Sequence, residues 1–96
     1  MTLKREGNDM RIWFKIFQNN HLLQDTTIED YSDETRTHKI FRALEECCYE
    51  FNLSKPIWLD STVKDFKRHA RARFTHDAFV ETVDFDYLEI HVIEED

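Results

Sequence analysis

The sequence predicts a small α+β domain of two layers, a mostly antiparallel sheet with two helices on one face, in the order β-β-α-(β)-α-β. Three observations carry this prediction. An alternating apolar segment, RIWFKIF at 11–17, is followed by paired asparagines and a second strand-compatible run. Two stretches, near 33–52 and 62–74, repeat apolar residues at helical spacing. The last apolar segment, AFVETVDFDYLEIHVI, reads as a strand over 86–93. An early hairpin and a late strand separated by helices favour an antiparallel sheet covered on one side.

In chain order, residues 1–10 read as a flexible N-terminus ahead of a single domain at 11–96. In the first strand Ile12, Phe14 and Ile16 share one face and Trp13, Lys15 and Phe17 the other. Asn19-Asn20 suits a two-residue turn, since Asn tolerates positive φ. HLLQDTTIEDY then returns, with Phe17 facing Leu22 and Ile16 facing Leu23. Both faces of this hairpin are apolar.

Ser32 or Asp33 is the expected N-cap of the first helix. Its stripe is Ile40, Leu44, Cys47 and Phe51, flanked by Phe41 and Cys48, with His38, Lys39, Arg42, Glu45, Glu46 and Glu50 opposite. Pro56 ends that region, and IWL at 57–59 suits the optional short strand. Asp60 or Ser61 caps the second helix, whose stripe is Val63, Phe66, Ala70 and Phe74. Alternation changes phase near Tyr87, which predicts a bulge or turn at Asp84–Asp86. Residues 76–83 fit either a helix or a strand.

Composition narrows the function. The chain has 96 residues, 41% hydrophobic and 34% charged, which suits one folded domain. With a single glycine, Gly7, no glycine-rich phosphate loop or nucleophile elbow can be written. P-loop hydrolases, Rossmann dehydrogenases and α/β-hydrolases are thereby excluded, and no residue pattern calls for a cofactor. The adjacent cysteines, Cys47 and Cys48, offer no disulfide framework. No apolar run reaches the roughly 18 residues of a membrane span, and MTLKREGNDM lacks a signal h-region. A cytoplasmic protein without membrane partners is the expectation.

The formal net charge is −7, opposite in sign to most nucleic-acid-binding domains. It is unevenly spread: residues 55–76 carry +4 and residues 77–96 carry −8. On a helix over 62–74, Lys64, Lys67, Arg68 and Arg71 would share one flank and could track a phosphate backbone. The bland reading is a solvated helix face, or one neutralised by the acidic segment that follows.

The remaining chemistry is sparse. His21, His38, His69, His76 and His91 form no metal-binding spacing, and neighbouring helical thiols point about 100° apart, so zinc is not indicated. A small hydrolase could use His69 or His76 as general base, or bind Mg²⁺ through Asp84, Asp86 and Glu89; ordinary solvated side chains explain the same residues. Trp13, Phe17, Leu22 and Trp58 are the apolar groups not assigned to the inner face, and they are the candidate interface.

The phrases IEDYSDETRTHKIF, LSKPIWLD and DFDYLEIHVIEED resemble a family of short, acidic, uncharacterised bacterial proteins, across most of the chain. That resemblance implies no activity and assigns no role to any residue. The preferred expectation is a small non-enzymatic protein-interaction domain, a homodimer through the outer face of the hairpin. The alternatives are a nucleic-acid-binding module led by the basic helix, and a small hydrolase or nuclease.

Overall fold

The computed structural model of the chain describes residues 9–95. The expected flexible segment therefore lies mostly outside the described residues, and Met10 already belongs to the first strand, where it is buried. Strand β1 (Met10–Gln18) turns into β2 (His21–Asp30) through Asn19 and Asn20, with φ of 51° and 66°. Paired positive φ values make a turn whose twist matches that of the strands, and asparagine tolerates them. Helices α1 (Arg36–Glu50) and α2 (Asp60–His69) follow, then β3 (Arg71–Thr75), a 3₁₀ turn at His76–Ala78, and β4 (Tyr87–Glu95). The sheet order is β2-β1-β4-β3, antiparallel throughout.

The α+β class and the one-sided helical layer agree with expectation, and several boundaries change. The hairpin register keeps Phe17 opposite Leu22 but pairs Ile16 with Gln24, because a bulge at Leu23 takes up one residue. Helix α1 starts later than expected: Thr35, not Ser32 or Asp33, accepts the His38 backbone N–H at 3.2 Å. Ser32 instead donates its backbone N–H to Asp30 at 2.9 Å. Burial pushes the Asp30 carboxyl up, but hydrogen bonds from Ser32 and the charges of Arg42 and Lys39 outweigh it and hold the group below its ordinary value.

The optional strand at 57–59 does not form, and the second helix stops at His69 rather than 74. Ala70 takes the left-handed conformation, φ 55°, and its N–H closes on Phe66 at 2.8 Å. An L-residue there costs on the order of 1–2 kcal/mol. The return is a sharp reversal into RARFT, whose burial alternates strictly, with Ala72 and Phe74 inward. Phe74 suited either period, and strand pairing with β4 decided it. Residues 76–83 form the short 3₁₀ turn and then irregular chain. The phase change near Tyr87 is the end of that irregular segment, not a bulge within a strand. Its rings Phe79 and Phe85 are buried edge to face, 5.7 Å apart.

The core lies between the helices and the inner face of the sheet. Ile12, Phe14 and Ile16 of β1 and Leu88 and Ile90 of β4 meet Ile40, Ala43, Leu44, Cys47 and Cys48 of α1 and Phe66 of α2. Both thiols are free and buried, and Cys47 is pushed up, first by its hydrogen bond to Cys48 and then by burial. Lys39 corrects the expected polar face of α1: it precedes Ala43 and Cys47 at i+4 spacing and is buried. Trp58, half-buried in the α1–α2 connection, stands edge-on to Phe74 at 4.8 Å and to Phe66 at 5.4 Å. Among the described residues, no helix is long and apolar enough to cross a membrane.

Leu44→Ala removes a side chain buried at the centre of this layer. We expect it to cost about 2–5 kcal/mol, measured as a fall in the urea midpoint at unchanged m-value.

Candidate protein-interaction face

Because β-strand side chains alternate, the core face of the sheet dictates the other one. With both helices on the inner side, no helix crosses the outer face among the described residues. The registers set its side chains in rows across β2, β1, β4 and β3. Thr27, Trp13, His91 and Arg71 form one row, and Asp25, Lys15, Glu89 and Arg73 the next. Leu22, Phe17, Tyr87 and Thr75 form the third. Beyond Trp13 a bulge at Ile93 puts Arg11 opposite Glu94 on one side and Glu29 on the other.

At the centre of this open face sits a buried ion pair. Lys15 Nζ lies 2.7 Å from Glu89 and 3.8 Å from the centre of the Trp13 ring. Arg73 reaches the other Glu89 oxygen at 3.5 Å and lies over Tyr87 at 4.5 Å. Lys15 and Glu89 are 7% and 4% exposed, so the side chains around them remove the pair from water. Burying charge is costly unless the pair is well bonded, and here cation–π and ionic contacts converge on it. Above and below, rings stack in pairs: Trp13 with His91 at 6.5 Å, and Phe17 with Tyr87 at 5.3 Å. Trp13 also donates its indole N–H to Asp25 at 2.8 Å. The result is a surface of half-buried rings and paired charges that hold one another in place.

The structure brings together Trp13, Phe17 and Leu22 of the candidate interface residues. Trp58 lies on the helical side, among core rings. The four candidate nucleic-acid-binding cations are divided. Lys64, Lys67 and Arg68 are exposed on α2, while the reversal at Ala70 delivers Arg71 to the outer face of β3. The hydrolase candidates do not converge. His69 borders a cleft with Asp65 and Arg71, whereas Asp84 lines another beside Phe51 and Leu53. His76 donates Nε2–H to the Phe85 carbonyl at 2.5 Å, and Asp86 accepts the Asn19 backbone N–H at 2.8 Å. Among the described residues, no group of three His, Cys, Asp or Glu side chains could hold a metal ion.

Glu89, Arg73, Tyr87 and His91 are the residues of this face that sequence reasoning did not place there; Lys15 was placed beside Trp13 and Phe17, but not as half of a buried ion pair. Their signal was the odd-numbered alternation shared by 11–17 and 87–91, which becomes informative once those segments are known to be neighbours. Comparison of the chain with protein-family models, curated proteins and solved structures finds no match.

Replacing Glu89 alone by Leu leaves a buried ammonium without its carboxylate, and we expect a loss of about 3–5 kcal/mol. The double replacement Lys15→Met with Glu89→Leu should cost less than the single one in the same urea titration. His91 adds a pH dependence. Burial, then Arg71 and Lys15, depress its pKa below the ordinary 6.5, against the opposing pull of Glu89. Above that value the imidazole is neutral in both folded and unfolded chains and contributes nothing. As pH falls through it, the unfolded chain takes the proton first, so stability is lost toward acid. In thermal melts between pH 7.5 and 5, His91→Gln should flatten the fall of Tm relative to the parent.

Proposed function

We propose that this protein is a small non-enzymatic interaction domain that works through the open sheet face and pairs there with a second copy of itself. The carrying observation is the arrangement of charge in columns. Asp25 and Glu29 make β2 acidic, Arg11 and Lys15 make β1 basic, Glu89 and Glu94 make β4 acidic, and Arg71 and Arg73 make β3 basic.

Such a pattern is self-complementary about one kind of two-fold axis. An axis parallel to the strands sets β2 over β3 of the second copy and β1 over its β4, acid on base in every column. Asp25 then meets Arg73 of the second copy, Arg11 meets Glu94, and Phe17 meets Tyr87. An axis across the strands would set like charges on like. Facing sheets pack about 10 Å apart with strands near −30°, which the half-buried rings are tall enough to fill. A four-stranded face of this length presents roughly 500 Å² in projection. That is toward the small end for a specific interface, where each partner buries about 800 Å² of accessible surface. The dimer should therefore be reversible and concentration-dependent. A polyanion would instead meet Asp25, Glu29 and Glu94, which favours the protein reading of this face over a nucleic-acid one.

Sedimentation equilibrium over a concentration series tests this. We expect a monomer–dimer equilibrium that Trp13→Glu shifts fully to monomer. Asp25→Arg and Arg73→Asp should each weaken association by about tenfold or more, and the charge-exchanged double variant should recover it. Melts of each variant, diluted to monomer, check folding. A parent protein that stays monomeric at every concentration overturns the proposal. A dimer in which the exchanged pair fails to recover overturns the axis.

A further inference from the structure

We infer that the cleft between α1 and α2, on the side away from the sheet face, is a binding site for a small aromatic carboxylate. Its volume is about 250 Å³. A dry apolar void of about 150 Å³ holds benzene, so this one takes a ring with a short arm. Its wall is aromatic: Phe41 from α1, Trp58 from the connection and Phe66 from α2, with Phe41 and Trp58 6.3 Å apart and tilted. Ile40 and Val63 complete the apolar lining. Rings set at an angle present both faces and edges, the geometry in which a further ring finds an edge-to-face partner.

The charge at this cleft has one sign. Arg36 and Lys67 line it from opposite helices, and among the described residues no acidic side chain does. Arg36 is positioned before any ligand arrives. Its Nε pairs with Glu95 at 2.7 Å and its guanidinium lies 5.3 Å from the Phe66 ring centre. A guanidinium has five donors, and the Glu95 contact through Nε leaves the terminal nitrogens to meet a carboxylate. Lys67 makes no ion pair among the described residues. A carboxylate supplies what these groups lack, and an aromatic body supplies what the rings accept.

The probe is 3-phenylpropionate, titrated into uniformly ¹⁵N-labelled protein, with 3-phenylpropanamide and hexanoate beside it. We expect saturable amide shifts at residues 36–41 and 63–67. The amide and hexanoate should each bind about tenfold more weakly than the acid, a one-decade change in Kd. Lys67→Glu, at an exposed position, should weaken the acid by at least as much while the variant still melts cooperatively, lowered only by the lost cation in the last turn of α2. Trp13→Glu, on the opposite layer, should bind the acid as the parent does, which separates this site from the dimer. Non-saturable shifts, equal affinity for acid and amide, or an unaffected Lys67→Glu variant would overturn the site. Equal affinity for hexanoate would overturn its aromatic character.

Discussion

Every layer of this protein depends on the ladder between β1 and β4. It pairs Met10–Phe17 with Tyr87–Glu95, segments separated by both helices, and makes β1 a central strand. A central strand has neighbours on both edges and needs company on both faces. On the inner face that company is the helical layer over Ile12, Phe14 and Ile16. On the outer face β1 and β4 supply it to each other, as the Lys15–Glu89 pair and the two ring stacks. The same ladder closes the core and builds the surface.

That division explains what could be read in advance. The hairpin, α1 and the inner face were legible, because local periodicity and the Asn19-Asn20 turn specify them within a few residues. Helix α2 and β3 were less so. KDFKRHARARF keeps helical spacing through Phe74, and only the left-handed Ala70 splits it into two elements. Alanine carries no sequence signal for that conformation; tertiary pairing with β4 imposes it. Lys39 was misplaced for a related reason, since a lysine at a stripe position reads as polar until its surroundings are known. The outer face was half legible: Trp13, Phe17 and Leu22 were visible as surplus apolar groups, but Glu89, Tyr87 and His91 needed the β1–β4 register.

The split at Ala70 also separates chemistries that the linear sequence runs together. One basic stretch becomes two, with Lys67 serving the helical side and Arg71 and Arg73 the sheet side. The bulge at Ile93 then divides the acidic residues of β4 between the two sides of the sheet. Glu89 faces Lys15 and Arg73, while Glu95 reaches Arg36 on α1. A net charge of −7 thus conceals a sheet face where acid and base alternate and a helical cleft whose charged lining, among the described residues, is Arg36 and Lys67.

The β1–β4 ladder also sets the order in which structure can arise during synthesis. When β1, β2 and α1 have emerged from the ribosome, β1 has only one neighbour, and an isolated hairpin is marginal in water. Its second edge and its lysine must wait for a strand that lies beyond both helices. Closing that long loop is the entropic cost that slows folding in chains of high contact order. Until it closes, β1 offers an unpaired, apolar edge to any extended segment nearby. The nascent chain is therefore most vulnerable to mispairing between the completion of α1 and the arrival of β4, a window in which a holding chaperone would find its target.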